Sequence, residues 1–302
     1  MATAFVLTGG GSLGAVQVGM LTALHEAGIH PDLLVGTSVG AVNAAYVAGA
    51  AGTDPSALGA RLRSLARLWH DLHRRDVFTL DPYRWWSAAR GHEPSMFSGI
   101  GLTQLLERHL GYDALEDAGL PVAVTVTDLV TGVGHLLHEG PSVRAVRASA
   151  AVPGVLPPVH LQGRTFVDGA IGELEVLDRT AARGVTDVYL LPAGYPCAGR
   201  PPTSALGIAL TSLSLLLHRG LTQQVRSYTG AARLHVVPPL CPLNTSPADF
   251  TQSTTLIQRA HLSTRAWLHD GADNPATTAA DVLALHAHRR RPRHEEGRSR
   301  GV

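Results

Sequence analysis

A serine, Ser38, lies between two glycines, Gly36 and Gly40, directly after the apolar run at residues 33–35. The small residues at 41–48 follow and are typical of a buried helix. A strand, a Gly-x-Ser-x-Gly turn and a helix in succession form a nucleophile elbow, which exposes a serine hydroxyl at a helix N-terminus. We therefore predict that Ser38 is a nucleophile, with glycine on both sides because the tight turn leaves little space for side chains.

A second glycine-rich stretch occupies residues 9–14, where Gly9, Gly10 and Gly11 follow an apolar run that predicts a strand at residues 4–7. Apolar residues then recur at three- and four-residue spacing, which predicts a helix. A loop between a strand and a helix presents backbone N–H groups that can hold an anion. That anion can be a phosphate or the oxyanion of an acyl-transfer intermediate.

The same loop also fits the Gly-x-Gly-x-x-Gly fingerprint of dinucleotide-binding folds. Those folds place an acidic residue at the end of the second strand, about 20 residues further on, where it holds a ribose. Here Asp32 precedes the predicted strand at residues 33–35, and Gly36, Thr37 and Ser38 follow it without a carboxylate. The pattern disfavours a dinucleotide-dependent oxidoreductase, which stays as the less favoured alternative.

A third candidate residue is Asp168, which ends the apolar run at residues 166–168 and precedes Gly169 and Ala170. An isolated Asp-Gly pair usually marks only a turn. In this chain it follows residues 148–159, a segment rich in proline and glycine. That segment is too irregular for a helix and too hydrophobic for an ordinary exposed loop.

Taken together and in this order, these stretches resemble the patatin-like phospholipase family. The resemblance covers roughly residues 3–270 of the 302-residue chain. The blocks that carry it are the glycine loop at 9–14, the Gly-x-Ser-x-Gly turn at 36–40, residues 124–132, residues 148–159, the Asp-Gly-Ala run at 168–170 and residues 249–250.

The resemblance implies a three-layer α/β/α fold with a largely parallel central sheet, and a serine acyl hydrolase that needs no cofactor. Ser38 would be the nucleophile and Asp168 the general base, without a catalytic histidine. The backbone N–H groups of Gly9, Gly10 and Gly11 would form the oxyanion hole. The expected substrates are lipids, through phospholipase A or lysophospholipase activity, or other carboxylic esters.

The chain departs from the family pattern at two places. Leu13 stands where the family often carries arginine or lysine, and Glu173 begins a Glu-Leu-Glu run where the family often has Asn-x-Pro. Loss of a cation from the glycine loop makes phospholipid a less secure substrate than a simple ester. A descendant that retains the fold only to bind lipid or a partner protein is the second hypothesis.

Other catalytic arrangements fit the sequence less well. A Ser–Lys mechanism is excluded because the chain contains no lysine. An α/β-hydrolase places several strands before its nucleophile, whereas Ser38 follows a single strand–helix unit. Histidines that follow Asp168, including His218, His235 and His261, lie in no motif that would mark them as catalytic.

A metal site is also disfavoured, although the chain has 16 histidines. The pairs His70/His73 and His135/His138 have ligand-like spacing but lack the His-Glu-x-x-His pattern of a helical zinc site. Net charge is +1, which gives no broad basic surface for nucleic acid. With two cysteines and no leader-like N-terminal segment, the sequence predicts a cytoplasmic protein that can associate peripherally with membranes.

The alternation of predicted strands and helices indicates one domain at residues 1–288. Within it, residues 51–100 are expected to form a helical insertion over the active site. Residues 289–302 carry six arginines and are expected to be a disordered basic tail. Residues 83–86 and 205–228 can contact lipid or pack on the core, and the sequence leaves both interpretations open.

Overall fold

The computed structural model describes residues 2–50, 52, 54–79, 81–172, 175–194, 203, 205–243, 245–270 and 282–283. Within them the chain forms a single sheet whose two faces are both covered by helices, so the predicted three-layer α/β/α fold is confirmed. The predicted basic tail at 289–302, Glu173 and Cys197 lie outside the described residues.

The strands are short and mostly apolar, as expected for a sheet that is buried on both faces. They are β1 (Thr3–Leu7), β2 (Leu33–Gly36), β3 (Val122–Asp128), β4 (Gly134–Leu137), β5 (Val159–Leu161), β6 (Arg164–Asp168), β7 (Asp187–Leu191) and β8 (Arg233–Val236). In the described part of the chain the order is β5-β6-β3-β2-β1-β7-β8, and β4 also pairs with β3. Strands β1, β2, β3, β7 and β8 are parallel, whereas β4 and β6 run antiparallel to β3.

Helices connect most of these strands. They are α1 (Gly14–Glu26), α2 (Val39–Ala48), α3 (Pro55–Asp71), α4 (Arg74–Val77), α5 (Pro82–Ala89), α6 (Ile100–His109), α7 (Ser142–Ser149), α8 (Val176–Ala181), α9 (Ala205–Arg226) and α10 (Ser253–His269). Among the described residues, no helix is long and apolar enough to span a lipid bilayer.

Side chains of β1 alternate between two separate hydrophobic clusters. Phe5 and Leu7 pack in the larger cluster together with residues of α1, α2, α3 and α10. Ala4 and Val6 face the other way and pack with residues of α8 and α9. This period-two alternation is what a strand with two buried faces requires.

Helix α3 shows how the segment at residues 51–100 becomes part of the domain. The Asp54 carboxylate accepts hydrogen bonds from two N–H groups of the first turn, and Pro55 occupies the first helical position. Leu58, Leu62 and Leu65 recur at helical spacing and pack in the larger core cluster. The first part of this segment is therefore a core helix, whereas a cover over the active site stays a prediction for the remainder.

The ends of β2 and β6 meet on the same side of β3. Strand β2 pairs with β3 up to Gly36 opposite Val124, and β6 pairs with it from the other direction, with Asp168 opposite Val126. Strand β4 pairs along the other side of β3, where Leu137 lies opposite Val124 and Gly134 lies opposite Thr127. The residues that follow β2 therefore lie next to the last residue of β6.

A fully buried polar network joins the three helices that pack around the start of the chain. The Asn43 side chain donates to Gly14 O (3.0 Å) and Gln17 Oε1 (2.9 Å), and its Oδ1 accepts from Trp69 Nε1 at 2.9 Å. Gln17 Nε2 in turn donates to the carbonyls of Thr8 (2.8 Å) and Leu191 (3.0 Å). The network therefore ties α1, α2 and α3 to the ends of β1 and β7.

We expect Asn43→Ala to lower the free energy of unfolding by roughly 3 kcal/mol, because three buried partners would each lose a hydrogen bond. Gln104→Ala removes an exposed amide from α6 and should change stability by less than about 0.5 kcal/mol. Urea denaturation of the two variants and the parent measures both values. An Asn43→Ala cost no larger than that of Gln104→Ala would contradict the structural role of the network.

Candidate active site

Ser38 occupies a strained turn between β2 and α2. Its backbone angles are φ 57° and ψ −126°, a conformation that side-chain-bearing residues rarely adopt. A Cβ on Gly36 would lie 2.4 Å from the Ala41 Cα, and one on Gly40 would lie 2.2 Å from the Leu7 carbonyl oxygen. Glycine at positions 36 and 40 is thus a steric requirement of this turn, as the sequence predicts.

The Asp168 carboxylate is buried and lies close to the Ser38 hydroxyl, which lowers its pKa. Asp168 Oδ1 accepts a hydrogen bond from the backbone N–H of Ala170 at 2.9 Å. Burial has the larger effect and raises the pKa of the Asp168 carboxyl from its ordinary value of 3.8 to about 6, whereas the Ser38 hydroxyl and the Ala170 N–H act in the opposite direction. Near neutral pH the carboxylate is ionised and can accept a proton from the serine.

The C-terminal end of α7 holds both residues in place. Ser149 Oγ accepts a hydrogen bond from the Ser38 N–H at 3.0 Å, and the Ser149 carbonyl accepts one from Gly169 at 3.3 Å. The Asp168 N–H donates to the Ala151 carbonyl at 3.0 Å. The sequence marks residues 148–159 as a block but does not single out Ser149, because its role depends on a contact 111 positions away.

Two threonines of β3 complete the support of the site. Thr125 Oγ1 donates to Thr37 Oγ1 at 2.8 Å, and Thr37 directly precedes Ser38. Thr127 Oγ1 donates to the Asp168 carbonyl at 2.8 Å. The same strand therefore fixes the residue that precedes Ser38 and the backbone of Asp168.

The glycine loop passes directly beside Ser38. A Cβ on Gly9 would lie 3.0 Å from the Ser38 Cβ and 3.6 Å from its Oγ. A Cβ on Gly10 would lie 2.6 Å from the Ala193 Cβ, and Gly11 has a φ of 59°. Within the described chain, the backbone N–H groups of these three glycines donate to no carbonyl or side chain, which leaves them for a bound anion.

Two further features set the electrostatics of the site. Ser38 lies at the N-terminus of the ten-residue helix α2, where the helix dipole stabilises negative charge. Leu13 is fully buried in the larger core cluster, so this position brings no cation to the glycine loop. Among these features, the dipole of α2 is the one that favours an anion beside Ser38.

The candidate histidines after Asp168 are engaged elsewhere. His235 Nε2 contacts Asp187 Oδ1 at 2.9 Å, and Asp187 lies opposite Thr3 in the sheet. That position is four residues, or about 13 Å, from the end of β1 where the glycine loop begins. His218 contacts the Leu283 carbonyl and His261 contacts Glu26, so these histidines form no triad with Ser38.

No group of three or more potential metal ligands occurs in the described part of the chain. His70 and His73 have separate contacts, His70 with the Thr254 hydroxyl and His73 with the carbonyl of Asp71, the last residue of α3. His135 lies 3.3 Å from Arg164, a cationic neighbour that disfavours a bound metal ion. Asp32 accepts a hydrogen bond from the Thr3 N–H at the N-terminal ends of β1 and β2. The glycine loop follows the C-terminal end of β1, so Asp32 cannot hold a ribose there.

Comparison with known proteins identifies related sequences. The family model for patatin-like phospholipases matches residues 5–174. Patatin-like phospholipase domain-containing protein 7 of Rattus norvegicus is 31% identical over 220 residues, or 72% of this chain. Lysophospholipase nte1 of Aspergillus terreus is 32% identical over 190 residues, or 63% of this chain. The matched regions span 15% and 12% of the length of these two relatives.

Among solved structures, VipD from Legionella pneumophila is similar over 88% of this chain and 67% of its own, with 15% identity and a TM-score of 0.43. The family model covers more than half of the chain and includes the glycine loop, the serine turn and the Asp-Gly pair. This chain therefore belongs to the patatin-like phospholipase family.

Proposed function

We propose that this protein is a serine acyl hydrolase that cleaves lipid or other carboxylic esters. The observation that carries the proposal is the placement of Ser38, in a strained turn after β2, beside the buried Asp168 carboxylate at the end of β6. Family membership supports lipid esters as the substrate class. Relatives named as lysophospholipases are consistent with an ester that carries a single acyl chain.

In the proposed reaction, Asp168 takes the hydroxyl proton while the Ser38 oxygen forms a bond to the ester carbonyl carbon. The carbonyl oxygen becomes an anion, which the N–H groups of Gly9, Gly10 and Gly11 would stabilise. When the intermediate collapses, the ester C–O bond breaks and the leaving alcohol receives the proton from Asp168. The acyl group stays on Ser38.

Deacylation repeats the same proton movements with water. Asp168 takes a proton from water, and the hydroxide oxygen bonds to the acyl carbon. The Ser38 oxygen then leaves and recovers its proton. A pKa of about 6 suits Asp168 to both halves of the reaction, because a base works best when its pKa lies near the working pH.

The second candidate is a protein that retains the fold to bind lipid or a partner without turnover. The buried leucine at position 13 favours it, because a cation is missing from the glycine loop. A fluorophosphonate probe separates the two candidates, since only an activated serine reacts with it readily. Labelling of the parent protein but not of Ser38→Ala would support the hydrolase, whereas an unlabelled parent would support the binding protein.

We expect Ser38→Ala and Asp168→Asn each to lower kcat/KM for a short-chain p-nitrophenyl ester by about a thousandfold or more. The reason is that the first variant removes the nucleophile and the second removes the base. Ser227→Ala and Asp270→Asn change exposed residues of the same types and should retain full activity. Full activity of Asp168→Asn would contradict the proposed dyad.

The pH dependence of kcat/KM should reveal the ionisation of Asp168. Since the pKa of Asp168 is about 6, activity should rise with pH through 6 and level off above about pH 7. At pH 5 the rate should be about tenfold below the plateau. A rate that stays constant between pH 5 and pH 8, after correction for spontaneous hydrolysis, would rule out Asp168 as the base.

The free energy of unfolding should fall as pH rises, in contrast to the activity. The raised pKa of Asp168 means that the folded protein binds a proton more tightly than the unfolded chain, so stability is lost as pH rises from 3.8 through 6. Above pH 7 the ionised carboxylate costs roughly 3 kcal/mol. Asp168→Asn should therefore unfold at a higher urea concentration than the parent at pH 8.

This stability gain should shrink as pH falls toward 4, because the parent carboxyl then becomes neutral. Asp270→Asn should show no such pH-dependent gain, since that side chain is exposed. Equal stability of Asp168→Asn and the parent at both pH values would contradict a destabilising buried carboxylate.

A further inference from the structure

The turn between β3 and β4 carries an uncharged and mostly apolar surface that the proposed reaction does not use. Its residues 129–133, Leu-Val-Thr-Gly-Val, are here called the hairpin tip. Val130 is 85% exposed, and Leu129 and Val133 are each about half exposed. Exposed Ile171, three residues after Asp168, adds a fourth aliphatic side chain to this end of the sheet.

Hydrogen bonds hold the hairpin tip in a defined shape. The Asp128 carboxylate accepts from the N–H groups of Val130 (2.9 Å) and Thr131 (3.2 Å), and its carbonyl accepts from Gly132 at 2.8 Å. The Leu129 N–H donates to the Thr165 carbonyl at 2.8 Å. The turn therefore has a defined backbone, and its aliphatic side chains are exposed to solvent.

The hairpin tip extends from the strand that supports the catalytic residues. Thr125 contacts Thr37, the neighbour of the nucleophile, and Val126 lies opposite Asp168. Strand β3 continues to Asp128, about 7 Å beyond Val126, before the tip begins. The tip thus projects past the catalytic pair at the same end of the sheet.

Basic side chains surround the base of the hairpin. Arg164 contacts the Asp128 carboxylate at 3.4 Å and His135 at 3.3 Å. The Arg144 guanidinium donates to the His160 carbonyl, and the His160 ring contacts Thr165 at 2.9 Å. The side chains of Arg144, His160 and Arg164 are exposed and that of His135 is half-buried; these four are here called the basic collar.

Aliphatic side chains next to arginine and histidine match the layers of an anionic lipid surface. Transfer of the aliphatic groups from water to the acyl region is favourable, and the guanidinium groups of the two arginines are attracted to anionic headgroups. A protein partner would more often meet aromatic residues at the centre of such a patch, and residues 129–133 contain none. The chemistry of the tip and collar therefore favours a lipid interface.

We propose that the hairpin tip inserts into the interface of anionic lipid bilayers while the basic collar contacts their headgroups. The docked tip would hold the catalytic end of the sheet against the layer that contains the ester bonds. This proposal rests on the proposed acyl-hydrolase function, because only then does the docked surface supply substrate. The docking itself needs no turnover, so the two can be tested separately.

The test measures flotation of the protein with phosphatidylcholine vesicles that contain phosphatidylglycerol. All variants carry Ser38→Ala so that hydrolysis cannot alter the vesicles. We expect Val130→Asp to weaken vesicle binding at least tenfold, and Val130→Trp to strengthen it several-fold, because tryptophan favours membrane interfaces. Removal of phosphatidylglycerol should weaken binding of the parent several-fold.

Leu262→Asp is the matched control, since Leu262 is 65% exposed on α10. Its neighbour His261 contacts Glu26 at the end of α1, which lies at the opposite end of the sheet. We expect this variant to bind vesicles like the parent. Equal losses for Val130→Asp and Leu262→Asp, or a parent that does not bind vesicles, would overturn the proposal.

Two other exposed apolar residues could instead form the lipid contact. Trp86 is exposed on α5, and Leu216 is exposed on α9. If Trp86→Asp or Leu216→Asp abolishes vesicle binding and Val130→Asp does not, the lipid contact lies elsewhere and the proposal is wrong. If Val130→Asp instead converts a dimer to a monomer in light scattering, the tip is a contact between two copies, which also overturns it.

Hydrolysis of a soluble short-chain ester separates the two proposals. In the background that retains Ser38, Val130→Asp should turn over this ester within twofold of the parent rate. Its rate of hydrolysis of vesicle lipid should be at least tenfold lower than that of the parent. Equal activity of Val130→Asp and the parent on vesicles would overturn docking by the tip, whereas a parent inactive on the soluble ester would contradict the hydrolase.

Discussion

The contact between Ser38 and Asp168 depends on two strand ends that share one side of β3. Strand β2 reaches Val124 from one direction and β6 reaches Val126 from the other, so their last residues face each other. A nucleophile at the end of one strand and a base at the end of the other then need no long side chain to meet. A change in the pairing of β6 by one residue would turn Asp168 to the opposite face of the sheet and remove the contact.

This arrangement places two unfavourable features close together. Ser38 has a strained backbone, and Asp168 is a carboxylate without a cationic partner in the described chain, which is why burial raises its pKa to about 6. The surrounding structure must prevent the Ser38 backbone from adopting a less strained conformation and must keep Asp168 buried. Hydrogen bonds from Ser38 to Ser149 and from Asp168 to Ala151 provide that constraint locally.

The buried amides provide the constraint at longer range. Gln17 donates to the carbonyl of Thr8 at the entry of the glycine loop, and Asn43 donates to the carbonyl of Gly14 at its exit. Asn43 also belongs to α2, the helix that begins after Ser38. The network thus links the loop that would bind the oxyanion to the helix that follows Ser38.

The features that the sequence predicts best are those set by local sterics and local pattern. The need for glycine at positions 36 and 40 can be predicted because no other residue fits the turn. The parallel strands can be predicted because they occur as apolar runs. Asp168 is recognised as a candidate only through its order among other blocks. Its burial and its pKa follow from the pairing of β6 with β3, which no local pattern specifies.

Residues whose role depends on contacts with distant parts of the chain cannot be predicted from the sequence in this way. Ser149 looks like any small residue in an alanine-rich segment, and Asn43 and Gln17 look like ordinary helix residues. The same holds for the hairpin tip, which reads as a turn after the central strand because exposure is a property of the fold. The sequence instead draws attention to residues 83–86 and 205–228, which can contact lipid or pack on the core, because aromatic and long apolar segments are conspicuous.

The position of the hairpin tip has a mechanical consequence for the proposed function. Strand β3 supports the nucleophile turn through Thr125 and the base through Thr127, and the same strand ends in the tip. Its seven residues are all buried, so the strand is held on both faces and cannot bend independently of the core. A force on the tip at a lipid surface would therefore orient the whole catalytic end of the sheet. Orientation alone would then bring an ester bond to Ser38, without any rearrangement of the catalytic pair.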